Sequence, residues 1–334
     1  MTRYVIVGAG AVGVSLAAEL GACGHGVCLI ARGDTLRHFA LHPVSYRTAA
    51  GTRAIRLPVA AITDDLELAH DDILVLASKT QDVRDAAQAL AWHEVRDARG
   101  EVVGVAADHL PVVTLQNGLD AERAAARWFT TVIGATFLIS AHYVRLGEVQ
   151  VGGSPYVGSV IAGVAAGAPT SGERALKTFV EDVRAANFLV ESVPDIGAYK
   201  AAKILFSVKN GLEVLAGDRT VKDAVGAALV AETRAVLAVA GIAHHEPSAL
   251  VRSVRQAGIE QVGVSPGQQS TWQSFARGAG SNEVDYLNGE IAMLARLHGV
   301  SAPLNARLQQ LLGRAARAGG GLELPGLESL ADLA

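Results

Sequence analysis

The stretch RYVIVGAGAVG, residues 3–13, combines a short apolar run with three closely spaced glycines. The run is rich in β-branched residues and predicts a buried strand, and helical sequence follows it. The first glycine permits a tight turn, the second lets backbone amides approach a pyrophosphate, and the third lets helix and strand pack closely. The motif therefore predicts a dinucleotide site, in a Rossmann-type sheet, at Gly8, Gly10, Ala11, Val12 and Gly13.

A second strand is predicted over residues 26–31, which completes a β-α-β unit and makes a plain turn the weaker alternative for the glycines. Arg32 follows this strand, where an acidic residue would bind the ribose hydroxyls of NAD. A guanidinium suits the 2′-phosphate of NADP instead, so we expect NADP(H) as the cofactor. The alternative for Arg32 is a solvated strand end.

Polar side chains follow two further predicted strands. Lys79 comes after residues 73–78, and Gln116 and Asn117 come after residues 111–115. Ligands of open parallel sheets bind outside the carboxyl ends of the strands, so we expect Lys79 and Asn117 to face the nicotinamide, with Gln116 among the cofactor contacts. The alternatives are a surface lysine and an asparagine that forms a turn before glycine.

The pattern changes from mixed to helical along the 334 residues, which predicts two domains. Residues 1–192 contain the predicted strands, and residues 193–334 are almost wholly helical in pattern. Long helices are predicted over residues 196–215 and 283–298, and a loosely ordered tail over residues 318–334. The fold class is therefore α/β, with a doubly wound sheet followed by an all-helical domain.

Charge and composition exclude several classes of protein. Lys plus Arg is 29 against 33 Asp plus Glu, a net charge of −4, without the basic excess typical of nucleic-acid binding. Hydrophobic residues reach 50%, which predicts large cores and suggests a homodimer interface, although the helices of a cleft-forming domain would give the same composition. Glycines and prolines break the uncharged residues 149–172 too often for a membrane helix. Cys23 and Cys28 indicate neither a disulfide framework nor a metal site, so we expect a metal-free cytoplasmic protein.

Several motifs in both halves resemble those of the ketopantoate reductase (2-dehydropantoate 2-reductase) family. The matches run from residue 8 to about residue 312 in a consistent order. They are the glycine turn, Arg32, Lys79, residues 116–118, Lys203, residues 270–271, residues 282–289 and residues 298–305.

The resemblance implies a Rossmann domain and a helical domain like that of 6-phosphogluconate dehydrogenase, with the active site in the cleft between them. It implies NADPH-dependent reduction of a 2-keto acid to a 2-hydroxy acid, as in pantothenate biosynthesis. By resemblance, Lys203 is the general acid and Asn117 orients the nicotinamide ribose and the substrate. Thr271 and Glu283 hold polar groups of the substrate, and Glu283 also belongs to the catalytic and cofactor contacts. The other implied substrate contacts are Ser207, Asn210 and Ser270.

Three residues depart from the family pattern. Ser207 and Gly211 stand where the family has asparagines, and Trp272 replaces a smaller apolar residue. They leave the identity of the 2-keto acid open. Two alternatives also stay open, an opine- or imine-type dehydrogenase of the same fold and an NADP-binding sensor without catalytic activity.

The residue types alone permit simpler interpretations. Lys203 lies on a predicted helix that also carries Lys200 and Lys209, and the three together are typical of a solvated face. A carboxylate such as Glu283 is favoured at a helix start by the macrodipole, and Thr271 is a common helix-start hydroxyl. The resemblance is what favours a catalytic role for Lys203.

Overall fold

The computed structural model describes residues 2–63, 66–263, 269–278 and 282–334. These residues form two compact units. The sheet unit lies within Met1–Gln116, Asp120–Ile196 and Leu250–Val264, and the helical unit within Asn117–Leu119, Gly197–Ala249 and Ser265–Ala334.

The strands all belong to the sheet unit. They are β1 (Arg3–Val7), β2 (Gly26–Ile30), β3 (Val44–Thr48), β4 (Gly51–Ile55), β5 (Val59–Ala60), β6 (Leu68–Ala69), β7 (Asp72–Leu76), β8 (Glu94–Arg96), β9 (Val102–Val105), β10 (Val112–Thr114), β11 (Val132–Leu138), β12 (Ala141–Arg145), β13 (Glu148–Val151), β14 (Gly153–Ser154), β15 (Gly158–Ala166), β16 (Phe188–Ser192) and β17 (Glu260–Gln261). The α-helices are α1 (Ala11–Ala22), α2 (Gly33–Leu41), α3 (Thr80–Ala91), α4 (Ala106–His109), α5 (Ala121–Ala125), α6 (Pro169–Ala185), α7 (Ile196–Ser207), α8 (Arg219–Val239), α9 (Pro247–Leu250), α10 (Arg252–Gln256), α11 (Ser270–Ala276), α12 (Asn288–Leu297), α13 (Pro303–Arg317) and α14 (Glu328–Ala331).

The main sheet has eight strands in the order β16-β15-β11-β10-β7-β1-β2-β5. All pairs from β5 to β11 are parallel, and β15 then runs antiparallel to β11. The order extends from β1 in both directions, to β2 on one side and to β7 on the other, which is the doubly wound arrangement. The predicted Rossmann-type sheet, followed by a helical domain, is confirmed.

Alternate residues of β1 supply the two faces of this sheet. Tyr4 and Ile6 are buried in one core with residues of α1 and α6, whereas Val5 and Val7 join a second core with residues of α3. Successive side chains of a strand point to opposite faces, and both faces here are covered by helices. The apolar run that opens the chain is therefore buried on both sides.

A small four-stranded sheet, in the order β12-β13-β3-β4, packs against α1. Glu19 of α1 is 8% exposed, and Oε1 of Glu19 accepts a hydrogen bond of 2.6 Å from Nη2 of Arg53 on β4. The Arg53 guanidinium also lies 5.3 Å from the ring centroid of Tyr46 on β3. These contacts hold the helix that follows the glycine turn.

In the helical unit, α7 ends at Ser207, and the single predicted helix over residues 196–215 is wrong. A 3-10 helix, Asn210–Val214, follows. Gly211 packs closely on α13, since a Cβ there would lie 2.5 Å from Cδ1 of Leu312. Apolar spacings of three and 3.6 residues are too similar over one turn to distinguish a 3-10 helix from an α-helix in the sequence.

The predicted helix over residues 283–298 is also interrupted. Glu283–Tyr286 form a 3-10 helix, which Asn282 caps by accepting a hydrogen bond of 2.8 Å from the N–H of Val284. Leu287, at φ −112° and ψ −84°, leaves the helical conformation, and α12 begins at Asn288. An asparagine cap and one non-helical residue are thus enough to divide a continuous apolar pattern.

The tail over residues 318–334 is ordered, contrary to the prediction. Gly319, Gly320 and Gly321 all have positive φ angles and form a defined turn. Leu327 and Leu330 beyond them are buried in the helical core. The glycines therefore form a turn, and the leucines that follow the turn pack into the helical core.

A buried hydrogen-bond network connects α8, α12 and α13. Asn305, which is fully buried, donates to Oε1 of Glu232 at 2.8 Å and accepts from Nδ2 of Asn288 at 2.9 Å. Nδ2 of Asn288 also donates to the carbonyl oxygen of Val208 at 2.8 Å, just past the end of α7. The network thus satisfies a carbonyl that a helix end leaves without a partner inside the helix.

We expect Asn305→Ala to lower the free energy of unfolding by about 2 kcal/mol, because it removes the side-chain hydrogen bonds to Glu232 and Asn288 and leaves a void at a fully buried position. Gln310→Ala, an exposed change on the same helix, is the control and should stay within about 0.5 kcal/mol of the parent protein. Urea unfolding followed by circular dichroism measures both. Equal stability of the two variants would contradict this assignment.

Candidate functional site

The glycine turn is built from close backbone contacts. Gly8 has φ +115°, and a Cβ there would lie 2.6 Å from the backbone nitrogen of Ser78, just beyond β7. A Cβ on Gly13 would lie 2.0 Å from the carbonyl oxygen of Gly8. Gly8 and Gly13 are therefore required by the packing of β1, α1 and the end of β7.

Gly10 differs from its two neighbours in the motif. No described atom lies within 4 Å of the position that its Cβ would take, and the residue is exposed. Gly10 is the N-cap of α1, a helix of 12 residues whose first turn holds Ala11 and Val12. The turn therefore leaves open space beside helix N–H groups, which fits the pyrophosphate of a dinucleotide.

Arg32 is the N-cap of α2, and its side chain is 87% exposed. Its Nη2 donates a hydrogen bond of 3.0 Å to Oδ1 of Asp82, in the first turn of α3. Arg37 pairs with Asp34 instead. The end of β2 thus presents an accessible guanidinium that can reach a phosphate.

Lys79 and Gln116 lie at the carboxyl ends of β7 and β10. Lys79 is the N-cap of α3. Gln116 is buried, and its Nε2 donates to the carbonyl oxygens of Leu76 at 2.8 Å and of Ser78 at 2.9 Å. Gln116 therefore braces the segment that leads to Lys79.

In the helical unit, α7 carries two buried lysines. Lys200 is 2% exposed and Lys203 is 7% exposed, and their spacing of three residues places them on one helix face. Burial, with a smaller contribution from the charge of Lys200, lowers the pKa of Lys203 to about 7. Nζ of Lys203 lies 5.6 Å from the ring centroid of Phe206. Lys203 is thus able to give up or take a proton near neutral pH.

The end of α7 and the start of α11 carry the predicted substrate contacts. Ser207, Asn210 and Thr271 are buried, and Ser270 is the first residue of α11. The 3-10 helix Asn210–Val214 packs against α11, and Oε2 of Glu213 accepts a hydrogen bond of 3.1 Å from the backbone N–H of Gln269. The structure therefore brings Asn210 and the Ser270-Thr271 pair to neighbouring elements.

Asn117 belongs to the helical unit although it follows a sheet strand. Gly118, at φ +93°, approaches the 3-10 helix that holds Glu283, because a Cβ on Gly118 would lie 2.6 Å from the carbonyl oxygen of Tyr286. Leu119 packs against the helical core. The segment containing Asn117 is thus fixed beside the element that contains Glu283.

The predicted residues are divided between the two units. The sheet unit holds Gly8, Gly10, Ala11, Val12, Gly13, Arg32, Lys79 and Gln116, and the helical unit holds Asn117, Lys203, Ser207, Asn210, Ser270, Thr271 and Glu283.

Sequence reasoning missed three residues of interest. Lys200 is buried beside Lys203, Asp82 pairs with Arg32, and burial raises the pKa of Glu213. The burial of Lys200 could have been predicted from the sequence of α7. This helix is apolar around most of its circumference, and a helix of this kind is surrounded by protein. Asp82 lies 50 residues from Arg32, and no local pattern connects them.

Trp272, one of the three departures from the family pattern, packs against the helical core and is only partly buried. Within the described part of the chain, no helix combines the length and apolar character needed to cross a bilayer.

Two family models match the chain, and both describe the same family. The model of the ketopantoate reductase PanE/ApbA family matches residues 4–161, and the model of its C-terminal domain matches residues 196–316. No curated protein matches the chain.

Solved structures share the fold at low sequence identity. A PanE/ApbA family ketopantoate reductase from Ralstonia eutropha JMP134 is 22% identical with a TM-score of 0.72, over 95% of this chain and 99% of that one. D-mandelate dehydrogenase in a ternary structure with NADH and anilino(oxo)acetate is 19% identical with a TM-score of 0.76, over 95% and 98%. The 2-dehydropantoate 2-reductase from Methylococcus capsulatus is 21% identical with a TM-score of 0.66, over 93% and 96%.

Proposed function

Because the chain belongs to the ketopantoate reductase family of NAD(P)-dependent oxidoreductases, we propose that it reduces a 2-keto acid to the 2-hydroxy acid with NADPH. The observation that carries this proposal is the buried Lys203, whose pKa is lowered to about 7. A lysine with this pKa is matched to proton transfer at neutral pH. The glycine turn, with open space at Gly10, supports the choice of a dinucleotide as the second reactant.

Lys203 acts as the general acid in the proposed reaction. A bound NADPH would supply the hydride that reduces the carbonyl carbon. The ammonium of Lys203 would stabilise the negative charge that develops on the carbonyl oxygen and would donate a proton to it. Lys203 is left neutral and takes a proton from solvent before the next turnover.

The remaining residues bind and orient the reactants. We assign the turn at Gly8–Gly13, Lys79 and Gln116 to the cofactor, and Arg32 to its 2′-phosphate. We assign Ser207, Asn210, Ser270 and Thr271 to the substrate. Asn117 and Glu283, on neighbouring segments of the helical unit, orient the reacting groups.

The substrate class is a 2-keto acid with a branched or bulky side chain. Ser207 is smaller than the asparagine of the family pattern, and Trp272 lies on the helical core, so neither narrows the class to ketopantoate. Structural similarity to D-mandelate dehydrogenase with anilino(oxo)acetate supports testing aryl 2-keto acids beside ketopantoate.

A substrate panel tests the proposal. NADPH oxidation is followed with ketopantoate, branched aliphatic 2-keto acids and phenylglyoxylate, and we expect turnover with at least one. The same acids with an added primary amine test the imine-dehydrogenase alternative, which requires amine-dependent oxidation. Folded protein that binds NADPH tightly, turns over none of these substrates and is indifferent to Lys203→Ala would instead be a sensor.

Arg32→Ala is expected to lower the preference for NADPH over NADH at least about tenfold, because a charge-assisted contact to phosphate is lost. The ratio of kcat/KM values with the two cofactors measures this preference. Arg37→Ala, which removes an exposed cation from the same helix, is the matched control. An unchanged ratio in Arg32→Ala would exclude Arg32 as the selecting residue.

Location and assembly are part of the same proposal. Two free cysteines, Cys23 and Cys28, are consistent with the reducing cytoplasm. The apolar composition supports a homodimer, and the partners are otherwise small molecules rather than nucleic acid or membrane. Light scattering coupled to gel filtration gives the oligomeric state.

A further inference from the structure

Arg32 is paired across the strand that carries the glycine turn. Arg32 follows β2, and Asp82 lies in the first turn of α3, after β7. In the sheet, β1 lies between β2 and β7, and β1 leads directly into Gly8. The hydrogen bond of 3.0 Å from Nη2 of Arg32 to Oδ1 of Asp82 therefore connects the two sides of the proposed dinucleotide site.

The side chains of Arg32 and Asp82 differ in how freely they can move. The Arg32 side chain is 87% exposed, whereas that of Asp82 is 34% exposed and is held on the first turn of a helix of 12 residues. The helix macrodipole also favours a carboxylate at this position. Asp82 is thus the fixed partner, and it determines where the flexible guanidinium points.

A 2′-phosphate needs the same guanidinium. An exposed ion pair of this kind is weak, so a phosphate dianion can displace the carboxylate from Arg32. The carboxylate of Asp82 then remains close to the dianion and repels it. A dinucleotide with a free 2′-hydroxyl carries no charge at this position. It therefore neither competes with Asp82 for Arg32 nor is repelled by the Asp82 carboxylate.

We propose that Asp82 is a positioning residue that restrains Arg32 and thereby reduces the preference of this protein for NADPH over NADH. The inference rests on the proposed function, because it takes the glycine turn as the dinucleotide site. The protein is therefore expected to prefer NADPH over NADH only moderately. A substitution at Asp82 on α3, rather than at Arg32 after β2, should increase that preference.

Asp82→Asn tests the inference. We expect the Kd for NADPH to fall about fivefold and that for NADH to change less than about twofold, both measured by calorimetry without substrate. The fragment 2′,5′-ADP should show the same gain as NADPH. In the Arg32→Ala background, Asp82→Asn should have a much smaller effect, because the residue through which it acts is gone.

Asp85→Asn is the matched control, since it removes the same charge from an exposed position of the same helix. If Asp85→Asn raises NADPH affinity as much as Asp82→Asn does, the effect is long-range and the inference is overturned. Weaker NADPH binding in Asp82→Asn, or equal changes for both dinucleotides, overturns it as well. If the parent protein binds neither dinucleotide, the proposed function itself fails, which is a different result.

Discussion

Replacing Lys203 with methionine is expected to lower kcat for 2-keto acid reduction at least about 1,000-fold and to change the Kd for NADPH less than about threefold. The variant removes the proton donor, whereas the glycine turn that we assign to the cofactor belongs to the other unit. Methionine has a similar length and no charge, so it suits a side chain that is only 7% exposed. Single-turnover NADPH oxidation with saturating substrate measures the chemical step.

Lys209→Met is the matched control. Lys209 is exposed, and its Nζ lies 5.9 Å from the ring centroid of Phe206, the same ring that Lys203 approaches. The control loses a cation near the same aromatic residue but outside the buried face of α7. We expect it to keep kcat within about twofold of the parent value, so that a general effect of charge near α7 can be separated from proton donation.

The pH profile follows from the lowered pKa of Lys203. Reduction requires the protonated lysine, so kcat/KM for reduction is expected to fall as the pH rises through about 7. Oxidation of the 2-hydroxy acid requires the neutral lysine, so its rate should rise over the same range. Lys203→Met should lose both of these pH dependences. If either rate still changes in this way with pH in Lys203→Met, the titrating group lies elsewhere.

The three lysines in and just after α7 show which features the sequence could predict and which it could not. Without the family resemblance, Lys200, Lys203 and Lys209 have the pattern of one solvated face. The structure buries the first two and leaves only Lys209 exposed. The neighbours that bury them come from other parts of the chain, and burial, not residue type, is what lowers the pKa of Lys203.

The sheet was predictable because its signals are local. The apolar run of β1, the glycine spacing and the next strand lie within the first 31 residues and define the β-α-β unit. The helical half was predicted only in outline. The 3-10 helix after Ser207, and the capping of Glu283–Tyr286 by Asn282, interrupt helices that the apolar period alone predicts as continuous.

Other features depend on partners that are distant in the chain. β17 pairs with β14, so a segment of the predicted helical half adds a strand to the sheet unit. The pairing of Arg32 with Asp82 joins residues 50 positions apart. A strand of two residues and a single ion pair leave no periodic pattern in the sequence. The spacing of the glycines, in contrast, directly predicts the turn that they form.

Gly13→Ala is expected to weaken NADPH binding at least about 100-fold and to lower the free energy of unfolding by about 1–3 kcal/mol. The new Cβ would lie 2.0 Å from the carbonyl oxygen of Gly8 and 3.3 Å from Cβ of Ala77. Backbone has to move to relieve the first contact, and the backbone that moves is the turn assigned to the pyrophosphate. Calorimetric titration with NADPH and urea unfolding measure the two effects.

Gly10→Ala separates the two effects, because no described atom lies within 4 Å of the position of its Cβ and its φ of −84° suits alanine. We expect this variant to keep the stability of the parent protein and to lose NADPH affinity, since the methyl group enters the space that the pyrophosphate requires. Gly313→Ala, also without a described neighbour within 4 Å but in the helical unit, should affect neither property adversely. Unchanged NADPH affinity in Gly10→Ala would show that the dinucleotide binds elsewhere, because nothing else in the described structure competes for that space.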